Sequence, residues 1–263
     1  MSPAALTSTR NPLLKDIRRA VMRGTLTEDG FAVAESFHLL EEALRSDCFV
    51  KAVLAAESVQ PAVEAHVRGL KRLRVIPVSD ALFRVISTTE TSQGVLALVR
   101  PPQWTLDQLF RGNSLVVVLD GIQDPGNAGS IVRSAEAFGA TGVLFLKGAV
   151  SPHHPKTLRA SAGSLFRMPV IHGLEGDLAR AALEQRRLDI YAAVPRGGKL
   201  LKDVDLTRRC AILVGSEGHG VSERLRSAAM DLRIPTTGVE SLNVGVAAGV
   251  ILYEAHRQRT LKA

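Results

Sequence analysis

The chain has 263 residues, 46% of them hydrophobic and 22% charged, enough for one large or two modest domains with real cores. A net charge of +7 favours an anionic partner such as nucleic acid, while aromatics at 4% leave little material for base-stacking platforms. Two cysteines, Cys48 and Cys210, exclude a disulfide scaffold and a Cys-rich zinc module, and no apolar run reaches the ~18 residues of a membrane span. With no charged leader segment ahead of an apolar stretch, a soluble, cytoplasmic protein is expected, its cysteines serving as small core residues.

Residues 11–23 carry Lys15, Arg18, Arg19 and Arg23 against Asp16, with Leu13, Leu14, Ile17 and Val21 apolar and Arg10 just ahead. Asn11 followed by Pro12 fits an N-cap with proline at the first helical position. Two readings stay open for this element, residues 1–23: a surface helix with a solvated basic face, or an arm that contacts phosphates. Beyond it, 31–33 predicts a strand, 36–44 a helix, and 50–54 and 75–78 further strands. Residues 94–99 close the stretch 24–100 as a buried strand, which predicts a small parallel or mixed α/β module. Arg100-Pro101-Pro102 opens a stiff break, and 101–113 is expected to be a linker with room for one short helix at Leu106, Leu109 and Phe110.

Residues 114–263 alternate strand and helix. The run 114–119 is a continuous apolar strand of the fully buried kind. Further strands are predicted at 142–146, 190–194, 210–214 and 232–235, and helices at 127–138, 156–162, 175–187, 221–229 and 243–258. This alternation predicts a parallel sheet with helices on both faces, whose ligands bind beyond the carboxyl ends of the strands. Three such ends are rich in glycine and polar residues: 120–130, 215–220, and Ile234-Pro235 through 240–244. Glycine turns admit a ligand close to the backbone, and helix N-termini aim bare N–H groups at it. Neither the dinucleotide fingerprint nor the P-loop spacing occurs, so the residues alone define a glycine-lined pocket without naming its ligand.

Taken in order, three segments resemble the motifs of the SpoU/TrmH family of RNA ribose methyltransferases, within the SPOUT superfamily. They are Asp120-Gly121-Ile122-Gln123-Asp124-Pro125-Gly126-Asn127-Ala128-Gly129-Ser130-Ile131-Val132-Arg133, then Leu213-Val214-Gly215-Ser216-Glu217-Gly218-His219-Gly220, then Ile234-Pro235 with Val239-Glu240-Ser241-Leu242-Asn243-Val244-Gly245-Val246-Ala247. The likeness spans about 114–259, and Leu158-Arg159-Ala160-Ser161-Ala162-Gly163-Ser164 fits the region between the first two motifs. Ser8-Thr9-Arg10-Asn11-Pro12-Leu13-Leu14-Lys15 and Phe31-Ala32-Val33-Ala34-Glu35 are similar to the substrate-binding domain of many members, a small fold like that of a ribosomal protein. In those members a glycine follows the glutamate, where this chain has Ser36.

The resemblance implies a class IV methyltransferase: an RNA substrate-binding domain at 24–100 and, at 114–263, a deep trefoil knot that holds S-adenosylmethionine. It implies a homodimer with the active site at the subunit interface, and methyl transfer to a ribose 2′-hydroxyl. Ribosomal RNA of the large subunit is favoured over tRNA as target; a non-catalytic RNA-binding or ribosome-assembly factor on the same scaffold is the alternative. Carried over by position, Gly215, Ile234 and Leu242, with Gly218 and Val244, would hold the cofactor. Asn127, Arg133, Glu217, Ser241 and Asn243 would form the catalytic shell, and no metal is implied. For RNA contact the residues are Arg10, Lys15, Arg18, Arg19 and Arg159.

Plainer roles stand beside these. Asn127 and Ser241 suit helix N-caps, Asn243 the start of an apolar helix, and Glu217 a loop held by backbone N–H groups. Arg133 would ordinarily be a solvated helix side chain. His153 and His154 lack further ligands at metal spacing and read as loop residues, and Arg186-Arg187 and Arg208-Arg209 as solvated surface.

Overall fold

The computed structural model describes residues 5–70 and 73–261. The chain forms two compact units, one of Met1–Pro102 with His153–Arg167, the other of Gln103–Pro152 with Met168–Ala263. This division departs from the boundaries expected at residues 23, 100 and 113, for reasons visible in each core.

The first unit opens with α1 (Pro12–Arg23), β1 (Ala32–Glu35), α2 (Phe37–Arg45) and β2 (Val50–Ala56). Then come α3 (Gln60–His66), β3 (Val75–Val78), α4 (Asp80–Ile86) and β4 (Val95–Val99). The four strands lie in the order β1-β4-β2-β3, antiparallel except for the β2/β3 pair, which makes this the mixed sheet anticipated. Asn11 caps α1, its side-chain oxygen accepting from the Leu13 N–H at 2.9 Å with Pro12 at the first turn. Within the expected element 1–23, helix α1 is not a separate arm. Leu14, Ile17 and Ala20, three residues apart on one helix face, are buried among Phe31, Val33, Leu54 and Leu96 in the unit's own core.

In the second unit α5 (Leu106–Leu109), β5 (Leu115–Asp120), α6 (Pro125–Ala137) and β6 (Gly142–Leu146) come first. The next helix, α7 (Pro155–Ser161), belongs to the first unit. After it the second unit resumes with β7 (Val170–Leu174), α8 (Gly176–Gln185), β8 (Asp189–Ala193), β9 (Lys199–Leu200) and β10 (Cys210–Gly215). It closes with α9 (Glu223–Arg226), β11 (Met230–Arg233) and α10 (Val244–Thr260). Seven parallel strands stand in the order β7-β6-β5-β10-β8-β11-β9. Every residue from Leu115 to Leu119 and from Cys210 to Gly215 is buried, as strands covered on both faces must be. The expected linker is part of this core: α5 is closed by a capping box between Thr105 and Gln108, and Leu109 and Phe110 pack with Val116, Leu144 and Leu183.

Residues 153–167 sit in the first unit because β1 is buried on both faces and needs a second cover. Helix α7 packs on β1 and supplies it, with Thr157, Leu158 and Ser161 buried. Helices α3 and α4 and strands β7 and β9 were not anticipated, and α9 is one turn rather than the nine residues expected at 221–229.

Candidate active site

Strands β5, β10 and β11 are parallel, so the three glycine-rich loops that follow them emerge at one end of the sheet. Asp124 is the N-cap of α6, its Oδ1 accepting from the Asn127 N–H at 2.7 Å, with Pro125 at the first turn. Asn127 is therefore not the cap, contrary to the plainer reading of the sequence. Its side chain is free to turn outward, and the Asp-Pro pair was the signal that marked the true cap. Asn243, not Ser241, caps α10, with Oδ1 accepting from the N–H groups of Gly245 and Val246 at 2.9 and 3.3 Å.

The opposite ends of these amides meet. Asn127 Nδ2 donates to Glu217 Oε1 at 3.0 Å, and Asn243 Nδ2 donates to Asn127 Oδ1 at 3.1 Å and to Glu217 Oε1 at 3.4 Å. The first loop, the second and the third are thus fastened by one carboxylate and two amides. A further tie runs from the Ser222 N–H to Asp120 Oδ2 at 2.7 Å.

Two close approaches fix the backbone around this network. A Cβ on Gly215 would lie 1.9 Å from the carbonyl carbon of Gly220, so the loop returning after β10 fits only against glycine. A Cβ on Gly245 would lie 2.7 Å from Ser130 Oγ, which lets α10 press against α6.

Beside the network lies a cavity of about 440 Å³. Its lining includes Gly215, Gly218, Ile234, Leu242 and Val244, together with Glu217 and Ser241. Asn127, Arg133 and Asn243 are not among the lining residues. The Arg133 side chain is exposed and makes no hydrogen bond or ion pair among the described residues. Arg196, Thr236, Arg226 and Glu240 also line the cavity and were not singled out from sequence. Arg226 grips Asp231 with two nitrogens at 2.9 and 2.6 Å, and that hydrogen bond holds the Asp231 carboxyl below its usual range. Arg196 pairs with Glu240 at 2.6 Å.

In the first unit Lys15, Arg18, Arg19 and Arg23 lie exposed on α1, with Arg10 just before it and Arg19 paired to Glu28. Arg159 differs from them. It is half-buried and donates to the Thr88 hydroxyl and carbonyl oxygen. Burial pulls its pKa down, with Glu35 opposing. Burial pushes the Glu35 carboxyl up, but donors from Ser92, Thr88 and Ser87 outweigh it and hold the group below its usual range. His154 is a helix cap rather than a free loop residue: its Nδ1 accepts from the Lys156 N–H at 3.1 Å at the start of α7. Cys210 is buried, which pushes its thiol up to about 11.

A parallel α/β sheet whose loops after β8, β10 and β11 line one cavity, beside a polar cluster that fastens the loop after β5 to them, is the architecture of an enzyme acting on a bound ligand. The chain belongs to the SpoU rRNA methylase family, whose model matches residues 114–253, and residues 11–97 match an MRM3-like substrate binding domain. It is 33% identical to an uncharacterized tRNA/rRNA methyltransferase of Synechocystis, over 97% of this chain and 94% of that one. To the 23S rRNA (guanosine(2553)-2′-O)-methyltransferase RlmP of Bacillus subtilis it is 29% identical, over 94% of this chain and 96% of the other. The SpoU methyltransferase AviRb of Streptomyces viridochromogenes, in complex with AdoMet, superposes with a TM-score of 0.85 at 29% identity, covering 95% of this chain and 99% of that one.

Proposed function

We propose that the protein transfers a methyl group from S-adenosylmethionine to a ribose 2′-hydroxyl in ribosomal RNA, with the large-subunit RNA as target. The observation that carries this reading is the Asn127–Glu217–Asn243 cluster at the edge of the Gly215 cavity. The cavity suits the cofactor: its volume of about 440 Å³ is that of a small-molecule site. Gly215, Ile234, Leu242, Gly218 and Val244 would hold the adenosine mainly through backbone and apolar contact. The Glu217 carboxylate at the rim complements a cationic sulfonium. Bound there, S-adenosylmethionine supplies an electrophilic methyl group.

The chain's own part is to place the hydroxyl. A guanidinium stays protonated at any physiological pH, so Arg133 serves as a phosphate clamp that orients the ribose for in-line attack. The hydroxyl proton leaves to phosphate or water. Ser241 and the two asparagines position the loops and the reacting ribose. On the first unit, the exposed face of α1 with Lys15, Arg18 and Arg19, and Arg10 beside it, would meet RNA phosphates. Arg159 would act there through the loop at Thr88 rather than by direct contact.

In this reading the second unit is knotted and the protein is a cytoplasmic homodimer. Support for the knot is the grip on the end of α10: Arg259 donates to the carbonyl oxygens of Leu206, Asn113 and Arg208 at 2.8, 2.7 and 2.6 Å. Support for the dimer is the stripe Val246, Val250 and Tyr253 on α10, which is 53%, 37% and 54% exposed at helical spacing.

The test is transfer of labelled methyl from S-adenosylmethionine to RNA and to ribosomal particles from a strain lacking the protein, with alkaline hydrolysis of the product. Label in an alkali-resistant dinucleotide is expected. No incorporation into RNA or particles, together with no cofactor binding, would instead make the protein a non-catalytic RNA-binding factor.

A further inference from the structure

Within the first unit, at the ends of the four-stranded sheet, lies a cluster that the reaction leaves unused. Phe49 directly precedes β2, Arg100 directly follows β4, and the Arg100 N–H donates to the Phe49 carbonyl oxygen at 2.9 Å. Phe49 and Lys51 are exposed while Val50 and Ala52 are buried, and although the register of β2 shifts between Val50 and Ala52, both Phe49 and Lys51 come up against the Phe31 ring. Phe49 is 59% exposed, whereas Phe31 beside it is 3% exposed, their ring centres 6.1 Å apart. The Arg100 guanidinium stands 4.9 Å from the Phe31 ring centre and 5.4 Å from that of Phe49, and Lys51 Nζ stands 5.0 Å from Phe31.

The charges in this cluster are differently committed. Lys51 pairs with Asp29 at 2.5 Å. Arg100 makes no ion pair among the described residues and is held by the two rings and its own backbone. The cluster therefore offers an exposed aromatic ring with a guanidinium against it, whose charge Asp29 answers only through space. Strand ends fix both, so little ordering entropy is lost when a ligand arrives. A single exposed apolar side chain is ordinary, but one flanked by a guanidinium with no ion pair among the described residues has the chemistry of a nucleotide site.

We propose that Phe49, Arg100 and Lys51 form a subsite for single-stranded RNA, in which a base stacks on Phe49 and the adjoining phosphate meets Arg100. This rests on the reading of the protein as an enzyme acting on RNA and places a contact of that substrate on the first unit, apart from α1. Such a subsite needs little aromatic material, because one ring suffices when a cation shares it.

The test uses the full chain and a short fluorescein-labelled oligoadenylate, titrated across a salt series. Phe49→Ala is expected to weaken binding about tenfold with an unchanged salt slope, since stacking releases no counterions. Arg100→Ala should weaken it and flatten the log–log slope by about 0.7, one phosphate's worth on a single strand. Phe49→Trp should keep wild-type affinity and show indole fluorescence quenched by the oligonucleotide, which separates stacking from a folding defect. S-adenosylmethionine binding should be the same in all three. Unchanged affinity in Phe49→Ala, no rescue by Phe49→Trp, or no binding of the oligonucleotide by the wild-type chain would each overturn the subsite. Methyl transfer to ribosomal particles by the wild-type chain, run in parallel, reports on the enzymatic reading separately.

Discussion

The Asn243 side-chain amide donates to Asn127 Oδ1 at 3.1 Å across 116 residues of chain, while its own oxygen caps α10. One residue thus ends the third loop, starts the last helix and reaches the first loop, with Glu217 of the second loop between them. The cap and the bridge use different atoms of the same amide, which makes them separable by substitution.

Asn243→Ser keeps an oxygen able to cap α10 and removes the bridging donor. Its unfolding free energy should stay within about 0.5 kcal/mol of wild type, because Ser and Asn cap comparably, while methyl transfer falls by about 100-fold through misplacement of the loops. Asn243→Ala loses both and should cost ~1 kcal/mol as well. Denaturant unfolding and single-turnover transfer read the two effects apart. Equal activity in the serine variant would leave the bridge without a catalytic part.

Arg133 is exposed and uncommitted, so nothing in the fold leans on it. Arg133→Ala should therefore leave unfolding and the calorimetric affinity for S-adenosylmethionine unchanged while transfer drops about 100-fold or more. Arg133→Lys should recover part of the rate, since a point charge replaces a planar fork. A matching loss of cofactor affinity would place Arg133 in the cofactor site instead.

Ser36 holds φ 140° and ψ 157°, a region that residues other than glycine rarely enter, while its hydroxyl accepts from the Leu39 N–H at 3.1 Å to cap α2. Removing the strain is worth ~1–3 kcal/mol, against ~0.5–1 for glycine's added chain entropy and a few tenths for the weaker cap. Ser36→Gly should then stabilise the protein by about 1 kcal/mol, and Ser36→Ala, which keeps the strain and loses the cap, should destabilise it. Chemical denaturation of both variants checks the opposite signs.

His154 caps α7 only while Nδ1 is unprotonated, and burial, with Arg159 and Lys156 nearby, holds its pKa below the usual 6.5. A histidine depressed on folding contributes stability that is present above 6.5 and is lost as pH falls from there through the folded value. Thermal unfolding should show such a loss on acidification below 6.5, reduced in His154→Asn, which caps without titrating. An identical pH profile for the two proteins would assign the acid sensitivity elsewhere.

Much was legible from local pattern alone. The continuous apolar run at 114–119 announced a strand buried on both faces and 210–214 a further strand, Asn11-Pro12 announced a helix start, and three glycine-rich strand ends in order carried the family likeness. These signals are local because backbone capping and strand burial act over a few residues. The caps were less legible where several candidates stood together: Asp124 and Asn243 hold positions for which Asn127 and Ser241 were equally suited by type. Only the path of the chain selects among them.

What the sequence by itself determined is the alternation of the main strands and helices and the chemistry available at the three glycine-rich strand ends, since hydrophobic period, proline and glycine act on their immediate neighbours; α3, α4, β7 and β9 carried no such signal. The tertiary structure alone decided that residues 153–167 would complete the first unit, because β1 needs a second apolar cover and no local pattern states who provides it. It alone decided, too, that Asn127, Glu217 and Asn243 share one hydrogen-bonded cluster. Those contacts join residues 26 to 116 positions apart, where only the packing of strands and helices sets distance.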